Sequence, residues 1–240
     1  MACMLIPMVF NSGCPYVLSV GALSGFQPES AVGQGNGGFY GGAGFSTIFP
    51  TPAWQKDAVA AYFAQNPNEG RRGGNLDRLI QGDEPLYNHE GRAYPDVSAQ
   101  GVNYAIVSGG SKQTVSGTSA SGPTVASQLA LINDARRRKG LGSIGWIHPL
   151  LYKTKGQGWS DVTLGGSYGC SVLNTQQLDP SLERNKRQTS EAKGGEDDSF
   201  FEYGVSDDLQ SIGFSAAKGW DPSTGWGSPD FHKLSALFKA

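Results

Sequence analysis

The sequence predicts an α/β domain with a largely parallel sheet, and a few features carry that prediction. Short apolar runs with strand character alternate with segments whose apolar residues recur at helical spacing. The 35 glycines in 240 residues fall largely between those segments, which marks tight turns. The length suits one large domain or at most two small ones. A formal net charge of −2, with 17% charged residues, leaves no basic footprint for nucleic acid. No run approaches the ~20 apolar residues of a membrane span, and no internal repeat is present.

Residues 1–10 are apolar, but Pro7 interrupts them and no basic leader precedes them, so they do not read as a signal peptide. Residues 15–20 read as a buried strand ending at Gly21. The glycine-dense stretch 33–44 reads as loop. Pro52 then opens a helix, at a position where its missing N–H costs nothing. Trp54, Ala58 and Tyr62, with Val59 and Phe63, give that helix one apolar face, and Asn66-Pro67 stops it.

Residues 66–90 are polar and read as surface loop. Residues 103–108 read as a second strand, Gly109-Gly110 as a turn, and 113–115 as a third extended segment. From Ser119 the spacing of Val125, Leu129 and Ile132 predicts a helix. The basic run 136–139 closes it, Gly140 stops it, and those cations read as a solvated helix end. Residues 148–152 suggest another short helix, and 231–238 a last one. The strongly polar stretch 171–212 reads as a mobile insertion in a single domain spanning 1–240, and its carboxylate pairs read as solvated charge. Cys3, Cys14 and Cys170 are an odd set, so they cannot form a closed disulfide framework, and zinc-site spacing is absent.

The most informative stretch is Val115-Ser-Gly-Thr-Ser119-Ala-Ser-Gly-Pro123. Small residues let the backbone turn sharply and expose a hydroxyl. The helix that follows offers unpaired N–H groups and a positive dipole end, which favour an oxyanion during acyl transfer. Ser119 is therefore a candidate nucleophile. The plainer alternative is that it only caps the helix. The stretch is not the Gly-x-Ser-x-Gly elbow, because Ser121 stands where the second glycine would be.

Ser116-Gly-Thr-Ser119-Ala-Ser121-Gly-Pro123 resembles the serine motif of the sedolisins, the serine-carboxyl peptidases that include tripeptidyl-peptidases. Other stretches match that family in order. They are Cys14-Pro-Tyr-Val with Ser19-Val-Gly21, Gly44-Phe-Ser46 leading to Phe49-Pro, and Gly91-Arg-Ala-Tyr-Pro-Asp-Val-Ser98. Asp161-Val162, Gly219-Trp-Asp-Pro-Ser-Thr-Gly225 and Gly227-Ser-Pro229 follow. The resemblance spans roughly residues 12–235, apart from 171–212. It implies a subtilisin-like parallel sheet flanked by helices, of which this chain is a C-terminal portion without the N-terminal part of the domain. It also implies a secreted, monomeric peptidase acting on peptides or proteins.

By that resemblance Ser119 forms an acyl-enzyme with a peptide bond, at acid pH. A glutamate takes its proton, an aspartate orients the glutamate, and a second aspartate supports the oxyanion. These acids lie N-terminal to the Cys-Pro-Tyr-Val segment in the family. The thirteen residues before Cys14 contain no Asp or Glu, so the chain alone is expected to be nearly inactive. His89, His148 and His232 share no motif and are expected to be solvated or hydrogen-bonded rather than catalytic.

The resemblance further implies one calcium ion, held by the carboxylates of Asp161 and Asp221 and the carbonyls of Val162, Ala217 and Gly219. Ala217 replaces the family's usual glycine. Ser215 stands where relatives carry a cysteine that pairs with the equivalent of Cys170, so that bridge is expected to be lost. Two other readings compete: an inactive, calcium-binding protein of peptidase-like structure, and a plain subtilisin-type peptidase, whose His and Asp triad motifs are absent.

Overall fold

The computed structural model describes residues 12–67, 87–168 and 213–240. Cys3, Cys170, most of the 66–90 loop and the 171–212 segment lie outside the described residues. Two strands form the centre of the fold. β1 (Val20–Ser24) runs parallel to β5 (Val97–Gln100), with Val20 opposite Val97 and Leu23 opposite Gln100. β2 (Ser30–Ala31) adds an antiparallel edge, giving the order β2-β1-β5.

The remaining pairs are two-stranded and antiparallel. β3 (Gly44–Pro50) pairs with β4 (Gly91–Tyr94), and β6 (Tyr104–Ser108) with β7 (Ser111–Val115). β8 (Trp159–Ser160) meets β11 (Ser228–Pro229), and β9 (Gly166–Ser167) meets β10 (Phe214–Ser215). The α/β class holds. The expected largely parallel sheet does not: among the described residues, parallel pairing is confined to β1 and β5.

One strand assignment also needs correction. Residues 15–17 are turn and bend, 18–19 are irregular, and the strand begins at Val20. Tyr16 and Val17 are 74% and 43% exposed, so their apolar character does not reflect burial. The buried strand carries Gly21, Ala22 and Ser24 beside Leu23, and the long helix packs directly on it. The strand expected at 103–108 is present as Tyr104–Ser108, and with residues 111–115 it makes an exposed ribbon.

Helices cover the sheet as the periodicity predicts. α1 (Gln34–Gly37) is a single turn inside the glycine-rich stretch. α2 (Lys56–Gln65) buries Val59 and Tyr62, and Asn66 ends it. α3 (Thr118–Arg138) crosses β1 and β5 and buries Val125 and Ile132. Its basic end is exposed at Arg137, Arg138 and Lys139, as expected, and half-buried at Arg136. Arg136 donates to the carbonyls of Gly142 and Phe238, and Lys139 Nζ to that of Ala240 at 2.7 Å. α4 (His148–Lys153) and α5 (Phe231–Leu237) complete the set, and Asp230 caps α5 by accepting from Lys233 N. Phe45, Phe63, Tyr87 and Phe214 form an aromatic cluster between α2 and the β3–β4 pair, with ring centroids 4.8–6.0 Å apart.

A buried polar network joins these parts. Asp96, fully buried, follows β4 and precedes β5. Its Oδ2 accepts from Arg92 Nη2 at 2.6 Å, Ser19 N at 2.7 Å and His148 Nε2 at 3.2 Å. Its Oδ1 accepts from the Tyr152 hydroxyl at 2.8 Å. Gln55, just before α2, donates to that hydroxyl at 2.8 Å and pairs with both backbone groups of Ala93. Arg92 also lies over the Trp54 ring, 6.0 Å from its centroid. One carboxylate thus links the entry to β1, the β4–β5 turn, the start of α2 and helix α4. Burial alone would raise the Asp96 pKa. The His148 hydrogen bond, the charges of Arg92 and His148, and the Ser19 N–H outweigh it and hold the carboxyl below its usual range.

Replacing Asp96 with Asn leaves Arg92 buried without its counter-charge. The expected loss is about 3–5 kcal/mol, read from urea denaturation midpoints. Because the folded-state pKa of Asp96 lies below the unfolded value, its contribution is complete above the unfolded carboxylate range. It disappears as pH falls through the depressed folded value. An acid titration of unfolding free energy should show this drop in the wild type and a smaller one in Asp96→Asn.

Candidate functional site

Helix α3 begins immediately after the β6–β7 ribbon. Gly117, with φ of 143°, is its N-cap, and it forms no side-chain cap. Ser119 lies in the first turn and is exposed. Its hydroxyl is thus not spent on capping the helix, and the plainer reading of this serine falls away. The Ala120 amide donates to Gly117 O at 3.0 Å, while those of Thr118 and Ser119 form no hydrogen bond among the described residues and lie next to the hydroxyl in the chain.

The loop that presents Ser119 is tied to the strand below it. Gly117 N donates to Gly101 O at 2.7 Å, Asn103 N to Ser116 Oγ at 3.0 Å, and the buried Ser121 Oγ to Gln100 O at 3.3 Å. A Cβ on Gly101 would stand 2.6 Å from Ser121 Oγ and 2.7 Å from the Ala22 side chain. Only glycine lets the end of β5 lie this close to the helix start. Thr124 Oγ1 donates to the Tyr104 hydroxyl at 3.1 Å, which fixes the ribbon against α3.

No described histidine or carboxylate is hydrogen-bonded to Ser119. His148 is buried on Asp96 with its ring against Trp54 and Trp146. His89 packs on Tyr87 with ring centroids 4.2 Å apart, and His232 lies on α5 beside Phe231. The expectation that His148 is hydrogen-bonded was right in kind. The network it joins was missed, although Arg92 and Asp96 stand four residues apart inside a quoted motif. Only their burial together reveals the ion pair.

The five residues expected around calcium occupy one neighbourhood. Asp161 is exposed, and its Oδ2 accepts from Gly219 N at 2.9 Å, so the two halves do meet. Asp221 is buried. Its Oδ1 accepts from Ser223 N at 2.8 Å and Thr224 N at 2.9 Å. Its Oδ2 accepts from the Thr224 hydroxyl at 2.8 Å and Ala217 N at 3.2 Å. The Val162 carbonyl accepts from the Thr224 hydroxyl at 3.1 Å.

Burial is the main force on the Asp221 carboxyl. It pushes the pKa up to about 7, against the lowering effect of those four donors, and among the described residues no cation pairs with it. The Ala217 and Gly219 carbonyls accept no hydrogen bond among the described residues. A buried carboxylate that is hydrogen-bonded but has no counter-charge among the described residues, a second carboxylate and two unspent carbonyls are hard-oxygen groups of the kind Ca²⁺ takes. Asp221 would exchange one of its present donors for the ion.

No family model matches the chain. Curated proteins do. Tripeptidyl-peptidase SED2 of Arthroderma otae is 33% identical over 229 residues, covering 95% of this chain and 31% of its own length. Aorsin of Aspergillus oryzae is 36% identical over 247 residues, covering 95% of this chain and 30% of its own length. Tripeptidyl-peptidase sed4 of Aspergillus fumigatus is 33% identical over 235 residues, with 95% and 33% covered. The chain thus spans about a third of the length of these relatives. A solved structure of Pseudomonas sedolisin, described as a serine-carboxyl proteinase complexed with pseudo-iodotyrostatin, superposes with a TM-score of 0.55. It is 20% identical, and the match covers 96% of this chain and 48% of that one. That likeness shows a shared fold.

Gly101→Ala pushes its new methyl into Ser121 and Ala22. It should destabilise the chain by about 1–3 kcal/mol. It should also speed hydrogen exchange at the Gly117 amide, which Ser121→Ala alone should leave largely protected.

Proposed function

Because the chain belongs to the sedolisin family of serine-carboxyl peptidases, we propose that it is the nucleophile-bearing part of a serine-type peptidase. The observation that carries this is the exposed, non-capping Ser119 at the mouth of a 21-residue helix. In this reading the Ser119 Oγ attacks a peptide carbonyl, and the first-turn N–H groups of α3 stabilise the developing oxyanion. The amine leaves, and water releases the acyl group. The serine proton passes to a carboxylate that the described residues do not place beside Ser119. A carboxylate base works where acid conditions leave coupled carboxyls partly protonated, so the proposed reaction is an acid-pH one.

The substrate class is peptides or proteins, and the site of action is extracellular. Both rest on the resemblance alone, as does the monomeric state. Among the described residues, no helix is long and apolar enough to cross a membrane. The lack of an acidic partner on Ser119 also favours a second reading, a calcium-binding protein of peptidase-like fold without activity.

The test is a fluorogenic tripeptide substrate across pH 3–7. The chain by itself should turn over on the order of a million-fold more slowly than a complete enzyme of this type. A longer product of the same gene that carries a Glu-x-x-x-Asp segment should be active, and Ser119→Ala should remove that activity. Activity surviving Ser119→Ala would overturn the nucleophile assignment, and an inactive longer product would favour the second reading.

We further propose that Asp161, Asp221 and the carbonyls of Val162, Ala217 and Gly219 hold one Ca²⁺. The ion would neutralise the buried carboxylate and clamp two distant segments. Calcium should raise the melting temperature, and chelation should reverse the gain. Ca²⁺ needs ionised Asp221, whose pKa is raised to about 7. The gain should therefore shrink as pH falls through that value. Asp161→Asn and Asp221→Asn should each abolish it.

A further inference from the structure

A cleft of about 900 Å³ opens between α2, α4 and the Asp161–Gly219 neighbourhood. None of its lining residues belongs to the Ser119 loop. Its apolar walls include Trp54, Trp220 and Trp226. Its polar complement is dominated by donors. Lys153, Lys155 and Lys218 line it, all three are exposed, and none forms an ion pair among the described residues. Trp226 is 9% exposed, and its indole N–H is buried without an acceptor.

An orphaned buried donor has a desolvation cost that a ligand acceptor would relieve. Two carboxylates also line the cleft, Asp57 and Asp161. Three lysines against these two aspartates leave the lining cationic in balance. The volume lies near the top of the usual small-ligand range of about 300–1,000 Å³, which leaves room for a short extended segment.

We propose that this cleft is a second binding site, one that takes an acidic peptide bearing an aromatic or large apolar residue. The side chains of that residue rest on the tryptophans. The carboxylates face Lys153, Lys155 and Lys218, and a peptide or carboxylate oxygen accepts from Trp226 Nε1. Charge complementarity selects the acidic occupant, and the aromatic walls select the apolar residue within it. The site is independent of acyl transfer at Ser119, so it stands or falls apart from the peptidase reading.

Three fluorescein-labelled peptides test it by fluorescence anisotropy against the intact chain: Glu-Glu-Phe-Glu-Glu, Gln-Gln-Phe-Gln-Gln and Lys-Lys-Phe-Lys-Lys. Saturable binding is expected only for the acidic one, weakening with added salt. Lys153→Glu combined with Lys218→Glu should raise its Kd at least tenfold. These exposed substitutions should leave the thermal melt unchanged. Trp226→Phe, which keeps the ring stacking but removes the N–H, should weaken binding by several-fold, and Ser119→Ala should not change it. Equal binding of all three peptides, no saturable binding, or an unchanged Kd in the double charge-reversal variant would overturn the proposal. Loss of binding in Ser119→Ala would overturn it as well, by placing the peptide at the nucleophile.

Discussion

The carboxylate of Asp96 is the constraint on which most of this structure depends. It is fully buried, yet it accepts from an arginine, a histidine, a tyrosine and a backbone amide drawn from separate parts of the chain. Each partner is itself buried or tied to the backbone, so none can withdraw without leaving a charge or a donor in apolar surroundings. The tryptophans around the network, Trp54 and Trp146, exclude water from it and raise the cost of any break. The position of α4 relative to the β1–β5 pair is set mainly by this one group, with the apolar core filling in around it.

The same short segment governs both candidate sites. At its start, the Asp96 carbonyl accepts from Trp226 N, and Ser98 N donates to Gly227 O. The loop carrying Asp221 is thereby fixed alongside β5. At its end, the close approach at Gly101 seats the first turn of α3 and so aims Ser119 outward. The proposed nucleophile and the proposed metal loop, remote from each other in sequence, are therefore both referenced to residues 96–101. Motion of that strand would be felt at both. The exposed β6–β7 ribbon depends on the same arrangement, because an isolated two-stranded ribbon has little stability of its own. It is kept in place by Tyr104 on Thr124 and by the Asn103–Ser116 bond.

The element types were legible wherever local chemistry was decisive. The spacing of Val125, Leu129 and Ile132 gave α3, and Gly109-Gly110 gave the hairpin turn, because periodicity and turn chemistry act within a few residues. The reading failed where burial was decided from a distance. Tyr16 and Val17 look like strand core but face outward, while Ala22 looks unremarkable and lies beneath a helix. The short strands β8 to β11 carry no pattern of their own and exist only because their partners are adjacent.

The sequence by itself determined that a serine would stand at the opening of a helix, since small residues, a glycine and a first-turn proline permit little else there. That two aspartate-bearing segments belong together was implied by the resemblance of their motifs, since their spacing alone marks only turns. Only the tertiary structure decided that Gly117 rather than Ser119 caps α3, that Asp161 and Gly219 are within hydrogen-bonding distance, and that His148 belongs to Asp96. Those outcomes depend on which groups are removed from water together. Desolvation is a property of the packed chain, and no local run of residues specifies it.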